Sequence, residues 1–173
     1  MNIMRQLRIE KITLNIGAGK DQARLEKGIK LLKMVTGIEP VKTMSKKRIP
    51  GWGLRVGLPI GCKLTLRKDK AIEILKNLLM AKENKLYDYQ FDNLGNLAFG
   101  LSEYVDIPNM KYNPEIGIMG LEICVTMERP GFRVKTRRLK TKKIPQKHRI
   151  SKNESIDFMK NEFNIKVLAN GEE

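Results

Sequence analysis

The sequence predicts an α+β fold in a single domain, 1–173: a mostly antiparallel sheet with helices packed on one face, the opposite face left polar, and one long basic loop projecting from it. Two kinds of signal carry this. Three segments alternate apolar and polar residues with the period of a strand buried on one side, namely Ile12–Ile16, Cys62–Arg67 and Leu121–Met127. Three others repeat apolar residues at helical spacing behind a capping residue, and they interleave with the strands.

In chain order, Ile12, Leu14 and Ile16 share one face of the first strand, while Lys11, Thr13 and Asn15 point the other way. Gly17-Ala18-Gly19-Lys20 is a tight turn, because it lacks the third glycine of a dinucleotide fingerprint and the Gly-Lys-Ser/Thr ending of a phosphate loop. Asp21 caps the first helix, Leu25, Ile29 and Leu32 form its apolar stripe, and Gly37 stops it. Pro40–Thr43 is a short extended piece, with Lys42 and Thr43 adding to the polar face. Residues 46–57 then collect Lys46, Lys47, Arg48 and Arg55 around Pro50, Gly51, Gly53 and Gly57, which predicts an exposed loop without regular structure. Trp52, the only tryptophan, sits between two glycines at its tip, where stacking on a nucleotide is a natural use.

The next strand places Cys62, Leu64 and Leu66 inward and Lys63, Thr65 and Arg67 outward. Asp69 is expected to cap the second helix, with Ile72, Leu75 and Leu79 buried. The turn-rich stretch 84–103 carries Tyr87, Tyr89, Phe91 and Phe99, expected mainly in the core, and ends in a strand at Leu97–Leu101. In the third alternating strand Leu121, Ile123, Val125 and Met127 face in. Ser151 and Glu154 form a capping box for a last helix with Ile156, Met159 and Phe163 as its stripe, and Ile165–Leu168 is expected to add an edge strand.

Composition limits the partners. Lysine and arginine number 34 against 19 acids, a formal charge of +15, which points to polyanions. The basic extension 129–149 contains Arg133, Arg137, Arg138, Lys140, Lys142 and Lys143 among its ten cations and no acid, so phosphates are its fitting counterions. A polar sheet face also serves solvation alone, and either use fits the alternation. No apolar run approaches the roughly 20 residues of a membrane span, so no membrane partner is expected. Cys62 and Cys124 read as buried thiols, and the lone His148 lies in a basic tail. With no paired carboxylates, no metal-ligand cluster and no nucleophile beside a base, no enzyme, cofactor or metal is expected.

The segments Ile9-Glu10-Lys11-Ile12-Thr13-Leu14-Asn15-Ile16-Gly17, Thr36-Gly37, Pro40 and above all Gly57-Leu58-Pro59-Ile60-Gly61-Cys62-Lys63-Leu64-Thr65-Leu66-Arg67 resemble the large-subunit ribosomal protein five family, whose members bind 5S ribosomal RNA. Phe99-Gly100, Ile107-Pro108 and Gly120-Leu121-Glu122-Ile123 extend the resemblance to about residue 127. Arg129-Pro130-Gly131-Phe132-Arg133-Val134 and Lys147-His148-Arg149-Ile150-Ser151-Lys152 are similar to the archaeal and eukaryotic branch, and the compact length favours an archaeal source.

The resemblance implies a cytoplasmic protein of the large ribosomal subunit, seated in the central protuberance with large-subunit rRNA and neighbouring ribosomal proteins. It implies 5S rRNA contact through Lys11, Thr13, Asn15, Lys42, Thr43, Lys63, Thr65 and Arg67. It further implies a reach toward peptidyl-site tRNA by Arg48, Gly51, Trp52 and Arg55, and a bridge to small-subunit protein thirteen. Ile38 stands where bacterial members commonly carry a polar residue. The alternative from charge alone is a free-standing, non-specific nucleic-acid-binding protein.

Overall fold

The computed structural model describes residues 2–168. Seven strands and four helices follow one another: β1 (Arg8–Gly17), α1 (Gln22–Thr36), β2 (Val41–Met44), β3 (Pro59–Leu66), α2 (Lys68–Ala81), β4 (Lys85–Tyr87), β5 (Leu97–Leu101), β6 (Leu121–Glu128), α3 (Arg133–Thr136), α4 (Lys152–Phe163) and β7 (Lys166–Leu168). Five strands form one sheet in the order β2-β3-β1-β6-β5. β2 and β3 run antiparallel. β1 and β3 also run antiparallel, since Ala18 and Gly19 donate to Ile60 O near one end and Arg67 reaches Glu10 near the other. The expected α+β class with a mostly antiparallel sheet is thus the observed one.

The chain divides into two compact units, residues 13–66 with 99–124, and residues 2–12 with 67–98 and 125–168. In the first, Leu14 and Ile16 of β1, Cys62 and Leu64 of β3 and Leu121 and Ile123 of β6 are buried, as the alternation predicts. α1 covers β3. Asp21 caps the helix by accepting from Ala23 N and Arg24 N, and Gly37 ends it in the left-handed conformation. The buried stripe is Leu25, Gly28, Leu31 and Leu32, with Ile29 only half-buried. The reason lies at Gly28: a Cβ there would stand 3.2 Å from both Cys62 Sγ and Ile16 Cγ2, so the helix presses its glycine against the sheet and turns the stripe toward Leu31.

In the second unit, α2 buries Ala71, Leu75, Leu78 and Leu79, while Ile72 remains 39% exposed. Asp69 is not its cap. β3 leads straight into α2 through Arg67 as an uncapped N-cap, so Asp69 falls inside the first turn, where a carboxylate still favours the helix dipole. β7 does not extend the five-stranded sheet: it pairs in parallel with β4, a strand hidden in the turn-rich region, to form a separate two-stranded sheet. Of the four aromatics, Phe91 and Phe99 are buried, while Tyr89 is exposed and stacks on Tyr87 at 5.5 Å.

The capping box of α4 forms as expected, with Glu154 accepting from Ser151 N. It is joined by an unexpected partner. Arg129, counted in the basic extension by sequence, is only 4% exposed; its guanidinium donates to Glu154 Oε1 at 2.6 Å and to the carbonyls of His148 and Arg149. The Ser151 N–H, with further help from Arg129, holds the Glu154 carboxyl below its ordinary value of 4.5.

Two outcomes follow from this packing. A Cβ on Gly120 would lie 2.5 Å from Leu101 O, a backbone atom that cannot step aside, whereas one on Gly17 meets nothing within 4 Å. Thermal denaturation should therefore show Gly120→Ala destabilised by about 1–3 kcal/mol and Gly17→Ala little changed. Because the folded pKa of Glu154 is lowered, its contribution is complete above 4.5 and disappears as pH falls from there through the folded value. Glu154→Gln should cost about 1–3 kcal/mol at pH 7, and melting curves of parent and variant should converge in acid below 4.5.

Candidate nucleic-acid interface

The polar face starts from the pleat. With Ile12, Leu14, Ile16, Cys62, Leu64 and Leu66 turned inward, the alternate residues must point away. Lys63 and Thr65 are exposed, and Thr13 and Asn15 are half-buried, on neighbouring strands β3 and β1. Thr13, Asn15, Lys63 and Thr65 therefore share one face. Asn15 Nδ2 donates to Glu122 Oε2 on β6 at 2.9 Å, so the face offers a carboxylate among its neutral groups. Cys124, expected to be buried, is exposed, since it shares the outward parity of Glu122 and Thr126.

Lys42 departs from expectation. In the β2–β3 register Val41 faces Lys63, Lys42 faces Cys62 and Thr43 faces Gly61. Directly paired residues of an antiparallel ladder lie on the same side, so Lys42 stands on the side of Cys62 and Thr43 on the side of Lys63. A strand of four residues gave too little alternation to fix this phase.

Lys11 and Arg67, the remaining sheet cations, belong to the second unit. They line a hollow of about 330 Å³ together with Arg133 and Lys135 of α3, Glu10 and Glu128. Arg67 reaches Glu10 Oε1 at 3.1 Å, Lys11 approaches the same atom at 3.8 Å, and Arg8 pairs with Glu128 at 2.6 Å. Exposed pairs of this kind are worth less than about 1 kcal/mol, so a phosphate can displace them at small cost. The sequence separates Lys11 from Arg133 widely, and only the fold gathers them.

The extension after β6 is folded rather than splayed. Arg137 Nε and NH2 donate to Lys140 O, Thr141 donates to Arg137 O, and Lys142 N donates to Val134 O. Arg133, Arg138, Lys140, Lys142 and Lys143 are exposed without an ion-pair partner among the described residues. Nothing in them offers acid–base or nucleophilic chemistry, and among the described residues no cluster of His, Cys, Asp and Glu could hold a metal. His148 Nε2 is engaged with Pro130 O at 3.0 Å.

The loop 46–57 contains more structure than its composition predicts. Ile49 and Leu54 exchange two backbone hydrogen bonds, Pro50–Trp52 form one turn of 3-10 helix, and Ser45 bonds both Leu58 and Gly57 through its backbone. Leu54 is 6% exposed and pins the base, whereas Trp52 is 69% exposed at the tip beside exposed Arg48, Gly51 and Arg55. The Lys20 side chain lies against Gly53, with its Cδ 3.6 Å from where a Cβ would be. Lys20 thus adds a cation to the loop that no local pattern announced.

Comparisons with known proteins show the family. The family model described as "Ribosomal protein L5" matches residues 2–55, and the model of the C-terminus of the same ribosomal protein family matches residues 59–158. The chain is 45% identical over 167 residues to a protein of Sulfolobus acidocaldarius named "Large ribosomal subunit protein uL5", covering 96% of this chain and 94% of that one. Proteins of the same name from Nanoarchaeum equitans and Methanobrevibacter smithii are 48% and 46% identical, covering 95% and 98% of this chain and 98% and 99% of theirs. With both halves of the chain matched and nearly every residue aligned to these relatives, the chain belongs to the ribosomal protein L5 family, whose members are structural proteins rather than enzymes.

Proposed function

We infer that this protein is a structural component of the large ribosomal subunit that binds 5S rRNA and helps to attach it in the central protuberance, within the cytoplasmic ribosome. One observation supports the reading most directly. The neutral hydrogen-bonding groups Thr13, Asn15 and Thr65 stand on adjoining strands with Lys63, outside a fully packed inner face. Cations position a phosphate backbone without reading it, while hydroxyls and amides can meet sugars and base edges. Thr43 completes this set, Lys11 and Arg67 act with Arg133 as a second phosphate-binding cluster, and Lys42 serves only at the edge. Arg48, Trp52 and Arg55 form a separate tool that reaches toward peptidyl-site tRNA, and small-subunit protein thirteen is the partner across the subunit interface.

Filter binding to 5S rRNA tests the sheet. Affinity should fall steeply with salt, by about 0.7–0.9 in logarithmic slope for each phosphate neutralised, and Thr65→Ala should weaken binding by about 1–3 kcal/mol with an unchanged melting temperature. Iodoacetamide gives an independent reading. It should label Cys124 and spare Cys62, which is fully enclosed and whose thiol is pushed up to about 11 by burial. Saturating 5S rRNA should then slow Cys124 labelling. An unchanged rate would move the RNA off this face, and equal affinity for DNA duplex would favour the non-specific binder.

The loop is tested by replacing Pro50–Gly53 with Gly-Ser, leaving Leu54 in the core. Affinity for 5S rRNA should stay within about 0.5–1 kcal/mol, since the ends are already held together, while peptidyl-site tRNA retention by reconstituted ribosomes should drop. Loss of 5S rRNA binding with an intact circular dichroism spectrum would assign the loop to the 5S site instead.

A further inference from the structure

Beside the exposed cations of the extension lies a hollow of about 310 Å³ that neither the polar sheet face nor the loop uses. Its apolar walls include Met127 of β6, Phe132, Ile144 and Ile150; its cations are Lys135, Lys143 and Arg149, and no carboxylate lines it. Phe132 and Lys135 also line the hollow that holds Lys11, Arg67 and Arg133, so the ring is a partition with cations on either side.

The walls are fixed from behind. The Phe132 ring meets His148 edge-on with centroids 5.7 Å apart, and His148 is itself tied to Pro130 O. Arg129 grips the carbonyls of His148 and Arg149 and the Glu154 carboxylate, which holds the return of the chain against β6. A pocket so anchored exists before a ligand arrives, and no ordering of its walls has to be added to the cost of binding.

We propose that this hollow receives one unstacked nucleotide of the bound RNA, its base against Phe132 and Met127 and its phosphate on Lys135 and Lys143. The inference rests on the RNA-binding reading and adds a contact that the sheet face does not supply. A solvated basic patch has no use for an apolar recess, and an apolar side chain of a protein partner has no use for three cations at its mouth. A nucleotide carries a flat apolar face and an anion together. Lys135 and Lys143 have no ion-pair partner among the described residues and are free to meet that anion.

The experiment uses the full chain, a ten-nucleotide single-stranded RNA carrying one 4-thiouridine, the duplex of the same length, and intact 5S rRNA. In fluorescence anisotropy Ile144→Trp, which fills the recess, and Phe132→Leu should each weaken single-strand binding about five- to tenfold, as expected for one lost stack, with Phe132→Tyr within about twofold of the parent. Duplex binding should change less than about twofold in all three. The photocrosslink in the unaltered protein, which depends on no variant folding, should map to Met127 or Phe132. If the parent and Ile144→Trp bind the single strand equally, or the crosslink maps elsewhere, while 5S rRNA is still bound, the pocket assignment fails and the RNA-binding reading stands. If the parent binds no RNA at all, both fail. Displacement of the single strand from the recess by an acidic aromatic peptide at equal affinity would overturn the proposal in favour of a protein partner.

Discussion

Strand phase is the constraint on which the rest of this structure depends. Ile12, Leu14, Cys62, Leu64, Leu66 and Ile123 are all at or near complete burial, and a slip of one residue would expose every one of them while driving Lys63 and Thr65 into the core. Exposing those six side chains alone costs about 9–18 kcal/mol, as much as the whole stability of a typical domain, about 5–15 kcal/mol. The polar face is therefore not an independent feature that happens to be present. It is what remains once the inner face is packed, and its residues are held in position by neighbours that never meet solvent.

Close backbone approach gives this packing its tolerance. Gly28 lets α1 settle on Ile16 and Cys62, and Gly61 and Gly120 stand where a Cβ would strike the carbonyls of Ile16 and Leu101. Interiors at crystal-like density do not absorb such intrusions. The same density explains why the loop 46–57 is anchored at Leu54 while Trp52 stays out: the base of the loop is part of a core, and the tip extends beyond the Ile49–Leu54 pair.

A net charge of +15 is a self-repulsion that the folded chain must accommodate. The structure does so by unequal treatment. Glu10, Glu122 and Glu128 are placed on the sheet, against Arg67, Asn15 and Arg8. Arg129 is withdrawn from solvent altogether and used as a clamp on Glu154 and two carbonyls. Among the described residues the exposed cations of the extension have no ion-pair partner, so the repulsion is concentrated where a polyanion would relieve it. Its folding relies on guanidinium-to-carbonyl bonds, as at Arg137, which leave the charge in place.

Sequence alone determined whatever depends on near neighbours. The phases of β1, β3 and β6, the Asp21 and Ser151 caps, the Gly37 stop, the exposed Trp52 and the outward Asn15, Lys63 and Thr65 all follow from periodicity, from local turn residues or from a side chain bonding its own backbone, and these interactions span a few residues. Tertiary structure decided what depends on distant ones. Lys42 changed sides because a four-residue strand takes its phase from its partner's register. Leu31 displaced Ile29 because Gly28 lies against the sheet. β7 left the main sheet for β4, and Arg129 left the basic surface for the Glu154 carboxylate and the carbonyls of His148 and Arg149, partners that only the return of the chain brings to it. The gathering of Lys11, Arg67, Arg133 and Phe132 around shared hollows belongs to the same class: no local rule links residues so far apart in sequence, and only the packing of strands and extension brings them within reach of one ligand.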